Sequence, residues 1–141
     1  MKVALINVGF GPEESDLRPS PPFGIMHLAA YLRREGYDIT LLDWSGEPLD
    51  DMKHAALRAA NADVIGIHVK ISSVILRALE VSRWAREDGR TVIWGGPGPT
   101  TLPDETVLQA PVDAAVLGEG EVTFLELIRT MERNGDLASV K

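Results

Sequence analysis

The sequence has no cysteine among its 141 residues. This absence excludes disulfide bonds, thiolate metal sites and a cysteine nucleophile within the chain. Basic residues are also scarce, because 14 Lys and Arg stand against 21 Asp and Glu, for a net charge of −7. Since nucleic-acid backbones are bound by clustered Lys and Arg, we expect no nucleic-acid partner.

Long apolar runs are missing as well, and none reaches the roughly 20 residues that cross a bilayer as a helix. Residues 1–7 form a short strand-like run that lacks the length and pattern of a secretory signal peptide. We therefore expect a cytoplasmic protein with no membrane partner. The apolar fraction of 45% is ordinary for one globular domain of this length.

Apolar strand-like runs alternate with amphipathic helix-like runs along the chain. Strands are predicted over residues 2–8, 38–43, 64–69, 91–94 and 112–117, and helices over 22–34, 48–60, 72–86, 101–109 and 121–134. This alternation predicts an α/β fold, with a five-stranded parallel sheet in the flavodoxin-like order 2-1-3-4-5 and helices on both faces. Residues 1–135 are expected to form the domain, and 136–141 to begin a linker.

Three segments between a predicted strand and a predicted helix are rich in glycine, proline or glutamate. They are residues 21–25 (PPFGI), 95–100 (GGPGPT) and 118–121 (GEGE). Glycine lets the backbone approach a ligand closely, and the start of a helix leaves N–H groups free. In a parallel sheet all three segments lie at the carboxyl edge, where open α/β sheets bind ligands. The pattern predicts a binding module for a large, partly anionic cofactor.

Three well-known classes of α/β domain lack their signatures here. A receiver domain needs an acidic pair after the first strand and an aspartate after the third, where this chain has Asn7 and His68. A flavodoxin phosphate loop is rich in Ser, Thr and Gly, whereas Glu13 and Glu14 lie after the first strand. No Gly-x-Gly-x-x-Gly fingerprint leads from the first strand into a helix, so a dinucleotide site is not expected.

Taken together, the motifs resemble the N-terminal cobalamin-binding domain of cobalamin-dependent radical S-adenosylmethionine enzymes. The matching positions are residues 21–25, 28–33, 36–37, 42–43, 62–67, 95–97, 99–100, 112–113, 116–121, 123–124 and 127. The resemblance covers nearly the whole chain in the family's order. The chain departs from the family at Gly98, where histidine is common. It also has no Asp-x-His-x-x-Gly string, the motif by which domains of the mutase and methionine synthase type place a histidine on cobalt, and the resemblance likewise implies cobalamin without a protein histidine on cobalt.

The resemblance implies that the chain binds cobalamin as the cofactor domain of a radical S-adenosylmethionine methyltransferase. S-adenosylmethionine and a [4Fe-4S] cluster would belong to a catalytic domain beyond residue 141, because this chain has no cysteine to hold the cluster. The alternative is a cofactor-free interaction module that has kept the fold, and Gly98 in place of histidine motivates it.

The expected cofactor-binding residues lie at the strand ends and in the three segments described above. They are Pro22, Phe23, Gly24, His68, Lys70, Ser72, Trp94, Gly95, Gly96, Pro97, Gly98, Pro99, Thr100, Gly118, Glu119, Gly120 and Glu121. No catalytic residue is predicted in this chain.

Some of these residues also have an ordinary structural interpretation. His68 is explained as well by a hydrogen bond from a strand end to backbone, and Trp94 by packing in the core. Glu119 and Glu121 suit the first turn of a helix, where the dipole favours acids. No protein ligand for cobalt is predicted, because residues 9–22 contain no histidine or cysteine, and His68 is the one competitor.

Overall fold

The computed structural model describes residues 1–14 and 21–140, which form one parallel sheet of five strands with helices on both faces. The strands are β1 (Lys2–Asn7), β2 (Asp38–Asp43), β3 (Val64–His68), β4 (Thr91–Gly95) and β5 (Ala114–Ala115). The helices are α1 (Phe23–Arg34), α2 (Asp51–Ala59), α3 (Val74–Glu87), α4 (Pro97–Thr101), α5 (Pro103–Gln109) and α6 (Glu121–Glu132), with 3₁₀ turns at Pro12–Glu14 and Leu137–Ser139. The strand order is β2-β1-β3-β4-β5, so the predicted fold class and order are confirmed. Within the described ranges, no helix has the length and apolar character of a membrane span.

Side chains alternate between the two faces of each strand and build one apolar cluster on each side of the sheet. On one side, α1 and α6 pack on residues such as Leu5 of β1 and Ile93 of β4. On the other side, α2 and α3 pack on residues such as Ile6 of β1 and Trp94 of β4. The position of a residue within its strand therefore decides which pair of helices its side chain meets.

The region after β4 differs from the prediction in two respects. Residues 97–101 form the short helix α4, where the sequence predicted a loop, because Gly96 turns the chain with a φ of 99° and Pro97 has the fixed φ of a first helical residue. Strand β5 has two residues instead of six, because this edge strand pairs only with Ile93 and Trp94 of β4.

The residues after α6 pack back onto the domain, although the sequence showed no compact pattern there. Leu137 and Val140 contact the apolar cluster under α1 and α6. Asp136 caps the short turn between them by accepting a hydrogen bond from the Ala138 amide. The interpretation of residues 136–141 as the beginning of a linker stays a prediction.

Candidate functional site

The carboxyl ends of four neighbouring strands carry a row of polar residues and one glycine. The register places Asp43 of β2 beside Asn7 of β1, Asn7 beside His68 of β3, and His68 beside Gly95 of β4. Residues an even number of positions apart in a strand face the same side of the sheet. Each residue of this row is an even number of positions from a member of the cluster under α1 and α6, such as Leu5 in β1, so the row lies on the side of that cluster. The row therefore ends the sheet at the edge where α1 and α6 begin.

A cavity of about 240 Å³ lies at this edge, between the sheet and the first turns of α1 and α6. Its apolar lining consists of Leu5, Ile25, Leu28, Ile67, Ile93, Val116 and Phe124. The remaining lining residues are Gly24, Gly66, His68, Gly95, Gly96, Gly118, Glu119, Gly120 and Glu121. Gly24, His68, Gly95, Gly96 and the whole 118–121 segment are thus predicted binding residues that the fold brings together.

The imidazole of His68 lies in the cavity wall between two glycines. A Cβ atom at Gly24 would lie 3.8 Å from the His68 Cε1 atom, and one at Gly96 would lie 2.8 Å from it. Burial lowers the pKa of His68 below its usual 6.5, and the positive charge of Lys70 lowers it further. The ring is therefore neutral at neutral pH, when it has one donor and one acceptor nitrogen.

Two loops at the cavity are tied together by one threonine. The Thr100 hydroxyl donates to the Gly96 carbonyl at 2.8 Å and accepts from the Gly118 amide at 3.0 Å. Both glycines have positive φ values, 99° and 68°, which a side chain would strain. Thr100 therefore positions the loops that border the cavity and does not line it.

The connection that follows β1 is anchored to α3 by an arginine. The Arg77 guanidinium donates to the carbonyls of Val8 at 3.0 Å, Trp44 at 3.1 Å and Glu47 at 2.8 Å. Burial lowers the pKa of Arg77, and nearby glutamates partly offset that shift. One side chain thus holds the strand ends of β1 and β2 against α3.

A second anchor of this connection comes from the start of α3. The Ser73 hydroxyl donates to the Glu14 carboxylate, at 2.7 and 2.8 Å from its two oxygens. Ser72 precedes it with a φ of 83°, which is rare outside glycine. The sequence predicted that residues 9–22 supply no nitrogen ligand to cobalt. Residues 15–20 of that loop lie outside the described ranges, so this prediction stays a prediction for them.

Nine of the predicted binding residues do not line the cavity. They are Pro22, Phe23, Lys70, Ser72, Trp94, Pro97, Gly98, Pro99 and Thr100. Pro22 and Phe23 flank it at the start of α1, where the Phe23 side chain is 63% exposed. The Lys70 ammonium lies 5.9 Å from the centre of the Phe10 ring, outside the cavity lining.

Trp94 and Gly98 serve the packing of the domain. The Trp94 indole is buried on the side of α2 and α3, where its N–H donates to the Ser82 hydroxyl at 2.8 Å. A Cβ atom at Gly98 would lie 2.9 Å from the Val69 carbonyl oxygen, so the close approach of two loops requires glycine there. The structure therefore places Trp94 outside the cavity lining, on the opposite side of the sheet, and explains Gly98 by the close approach of two loops.

None of the seven apolar lining residues was among the predicted site residues, but one signal for them lies in the sequence. Gly66 interrupts the apolar run of β3, and an isolated glycine in a strand indicates a close approach of other atoms. A Cβ atom at Gly66 would lie 2.7 Å from Leu5 Cδ2 and 3.0 Å from the Phe124 ring. The glycine thus lets these two side chains meet beneath the cavity.

Asn7 is a buried polar residue at the same edge that sequence reasoning also missed. Its amide nitrogen donates to Asp43 at 2.9 Å and to the Ser45 hydroxyl at 2.7 Å. Its amide oxygen is buried and has no hydrogen-bond partner among residues 1–14 and 21–140. An unpaired buried acceptor is costly, so this edge retains an unused place for a donor.

Comparison with known proteins gives a family and a fold. The family model described as "B12 binding domain" matches residues 18–128. The chain is 31% identical over 149 residues to the uncharacterized methyltransferase PH0819 of Pyrococcus horikoshii. It is 30% identical over 126 residues to the anaerobic magnesium-protoporphyrin IX monomethyl ester cyclase of Synechocystis. The matched regions cover 99% and 85% of this chain, but only 32% and 25% of those relatives.

Among solved structures, the chain is similar to the cobalamin-dependent S-adenosylmethionine radical enzyme OxsB with aqua-cobalamin bound. The TM-score is 0.81 at 22% identity, and the match covers 99% of this chain and 20% of that one. That likeness shows a shared fold, while the family model spans most of the chain, including α1, β3, β4 and most of α6. The chain belongs to the B12-binding domain family.

Proposed function

We propose that this chain binds cobalamin and serves as the cofactor domain of a radical S-adenosylmethionine methyltransferase. The observation that carries the proposal is the cavity at the carboxyl edge, in a chain of the B12-binding family. At about 240 Å³ the cavity is smaller than the roughly 300–1,000 Å³ of sites that enclose a drug-sized ligand. It therefore suits the nucleotide tail of cobalamin, while the corrin ring stays outside over the strand ends.

The residues around the cavity fit such a tail. Gly96, Gly118 and Gly120 present backbone without side chains, so a nucleotide can pass close to it. The first turns of α1 and α6, each a helix of 12 residues, offer free N–H groups that favour a phosphate. The Glu119 and Glu121 carboxylates can accept hydrogen bonds from ribose hydroxyls or corrin amides.

The surface beside the cavity fits the corrin ring. Phe23, Ile71 and Leu117 lie in the segments that follow β1, β3 and β5, and their side chains are 63%, 49% and 50% exposed. They can cover the methyl-rich edge of a corrin and exclude water from it. Asn7 adds a buried acceptor at the same edge.

Bound cobalamin would supply a cobalt centre able to carry a methyl group. The part of this chain is to bind and orient the cofactor. S-adenosylmethionine and the [4Fe-4S] cluster would lie in a further domain, joined through the residues after 135. This division agrees with the coverage of the relatives, since the chain spans about a third and a quarter of the two curated proteins.

The alternative of a cofactor-free interaction module receives less support. If the domain had lost its ligand, we would expect the loops after β4 and β5 to close over the strand ends. Instead, these loops border an open cavity between the sheet and the first turns of α1 and α6. Gly98, which motivated that alternative, is explained by its approach to the Val69 carbonyl.

Retention of hydroxocobalamin after desalting tests the proposal. We expect the visible spectrum to show about one corrin per chain. Gly120→Leu should lose most of it, because Gly120 has an ordinary φ of −97° and its side chain would enter the cavity mouth. Val122→Leu is the control, since Val122 is 60% exposed and does not line the cavity. Absence of corrin from the unchanged chain, or equal retention by both variants, would contradict the proposed binding site.

The methyltransferase part needs the full-length enzyme. With S-adenosylmethionine and a reductant, we expect S-adenosylhomocysteine to form only when cobalamin is present. Formation at the same rate without cobalamin would leave this domain with another role.

A further inference from the structure

The inner lining of the cavity is uniformly apolar. Leu5, Ile93, Val116 and Phe124 come from β1, β4, the segment after β5 and α6, and none is more than 3% exposed. The charged lining residues are at the start of α6, where Glu119 is exposed and Glu121 is half-buried. A group that fills the cavity therefore exchanges water for hydrocarbon over most of its surface.

His68 is the one uncharged hydrogen-bonding side chain among the described lining residues. Burial and Lys70 lower its pKa, so the ring enters the cavity wall in its neutral form. A neutral imidazole can satisfy one ring nitrogen of a bound heterocycle through its N–H. It cannot satisfy several nitrogens and an amino group at different edges of the same heterocycle.

Cobamides differ in the base of their nucleotide tail, and the chemistry of these bases is unequal. 5,6-Dimethylbenzimidazole, the base of cobalamin, has one free ring nitrogen and two methyl groups. Adenine, the base of pseudocobalamin, has three free ring nitrogens and an exocyclic amine. Among the described lining residues, His68 supplies the one side-chain donor, so the single ring nitrogen of dimethylbenzimidazole has a partner, while two of the three ring nitrogens of adenine have no side-chain donor.

We propose that this cavity selects among cobamides by their lower base and holds a dimethylbenzimidazole nucleotide in preference to an adenine nucleotide. The inference rests on the proposed function, because it requires that the nucleotide tail occupies the cavity. A polar group buried without a partner weakens binding by about 10- to 100-fold. We expect a difference of that size between the two cofactors.

Titration of the chain with three corrinoids tests the inference, with dissociation constants from the visible spectrum. The corrinoids are cobalamin, pseudocobalamin and cobinamide, which lacks the nucleotide. Cobalamin should bind at least about tenfold more tightly than either of the others. Equal affinity for cobalamin and pseudocobalamin would overturn the selectivity. Equal affinity for cobalamin and cobinamide would show that the nucleotide tail does not bind in the cavity, and would overturn the inference without contradicting cobalamin binding. Failure of all three corrinoids to bind would contradict the proposed function itself.

Two valine-to-threonine variants assign the selectivity to the cavity lining. Val116→Thr keeps the shape and adds a hydroxyl inside the cavity, so it should reduce the preference for cobalamin several-fold. Val92→Thr is its matched control, because Val92 is fully buried on the side of α2 and α3. Thermal melts by circular dichroism show whether both variants fold. A preference that is unchanged in folded Val116→Thr, or altered equally in both variants, would refute the role of this lining.

Discussion

Replacement of Gly96 by alanine tests how the structure holds the cavity wall. Gly96 has φ 99° and ψ −167°, a region almost restricted to glycine, and forcing alanine into it costs about 1–3 kcal/mol. The added methyl would also lie 2.8 Å from the His68 ring and 3.1 Å from the Val69 carbonyl oxygen. Because both distances are shorter than van der Waals contact, we expect a total loss of about 3 kcal/mol or more in the free energy of unfolding.

Gly89→Ala is the matched control for this change. Gly89 also has a positive φ, 71°, but a Cβ atom there meets nothing within 4 Å. Its cost should be confined to the backbone, about 1–2 kcal/mol, with no effect on cobalamin affinity. Urea denaturation and cobalamin titration of both variants measure the two effects. We expect Gly96→Ala to lose more stability and at least about tenfold in affinity, because His68 must move. A variant at Gly96 as mild as the one at Gly89 in both assays would refute this account of the wall.

Four other outcomes are expected. Arg77→Ala should lower the free energy of unfolding by about 2–3 kcal/mol in urea denaturation, because three carbonyls lose a charged donor. The control, Arg83→Ala at an exposed position of α3, should change it by less than about 0.5 kcal/mol. Similar losses in both variants would contradict the proposed anchoring by Arg77. The pKa of His68 is lowered in the folded state, so below about pH 6.5 the unfolded chain binds more protons than the folded chain. The free energy of unfolding should therefore decrease as the pH is lowered through this range. That slope should vanish in His68→Gln, and an unchanged slope would assign it to another group. A separate decline below about pH 3.8 is expected from Asp88, whose pKa is lowered by its hydrogen bond from Arg58. Cobalt(II) cobalamin bound to the chain should show no nitrogen superhyperfine splitting in electron paramagnetic resonance, and a threefold splitting that disappears in His68→Ala would place that histidine on cobalt.

The fold was largely predictable because the signals that define it are local. The β2 bounds, Asp38–Asp43, match the predicted residues, and β1, β3 and β4 differ by one residue at their carboxyl ends. The prediction failed after Gly96, where a positive φ starts a helix from a segment of glycine and proline. It also made β5 too long, because strand length at a sheet edge depends on a partner that the local pattern does not reveal.

In the candidate site, the glycines that line the cavity with backbone were predictable from the sequence, whereas the side chains that line it were mostly not. Glycines in strand-to-helix segments must reach the carboxyl edge of a parallel sheet, and Gly24, Gly96 and Gly118 do line the cavity there. Trp94 was placed among the binding residues because it precedes Gly95, but its position in β4 turns it towards Ser82 and the opposite helices. The sequence does not reveal which face of the sheet α1 and α6 cover. Because the cavity lies on that face, the identity of its apolar lining residues could not be predicted either.

The central claim is that cobalamin binds at the carboxyl edge between α1 and α6, and nitrogen–proton correlation spectra of the labelled chain test it most directly. Addition of cobalamin should shift or broaden the backbone amides of Gly24, His68, Gly96 and residues 118–121. The indole N–H of Trp94 should stay in place, because its hydrogen bond to Ser82 lies on the other side of the sheet. Changes centred on Trp94 and α3, or no change at saturating cobalamin, would contradict the claim.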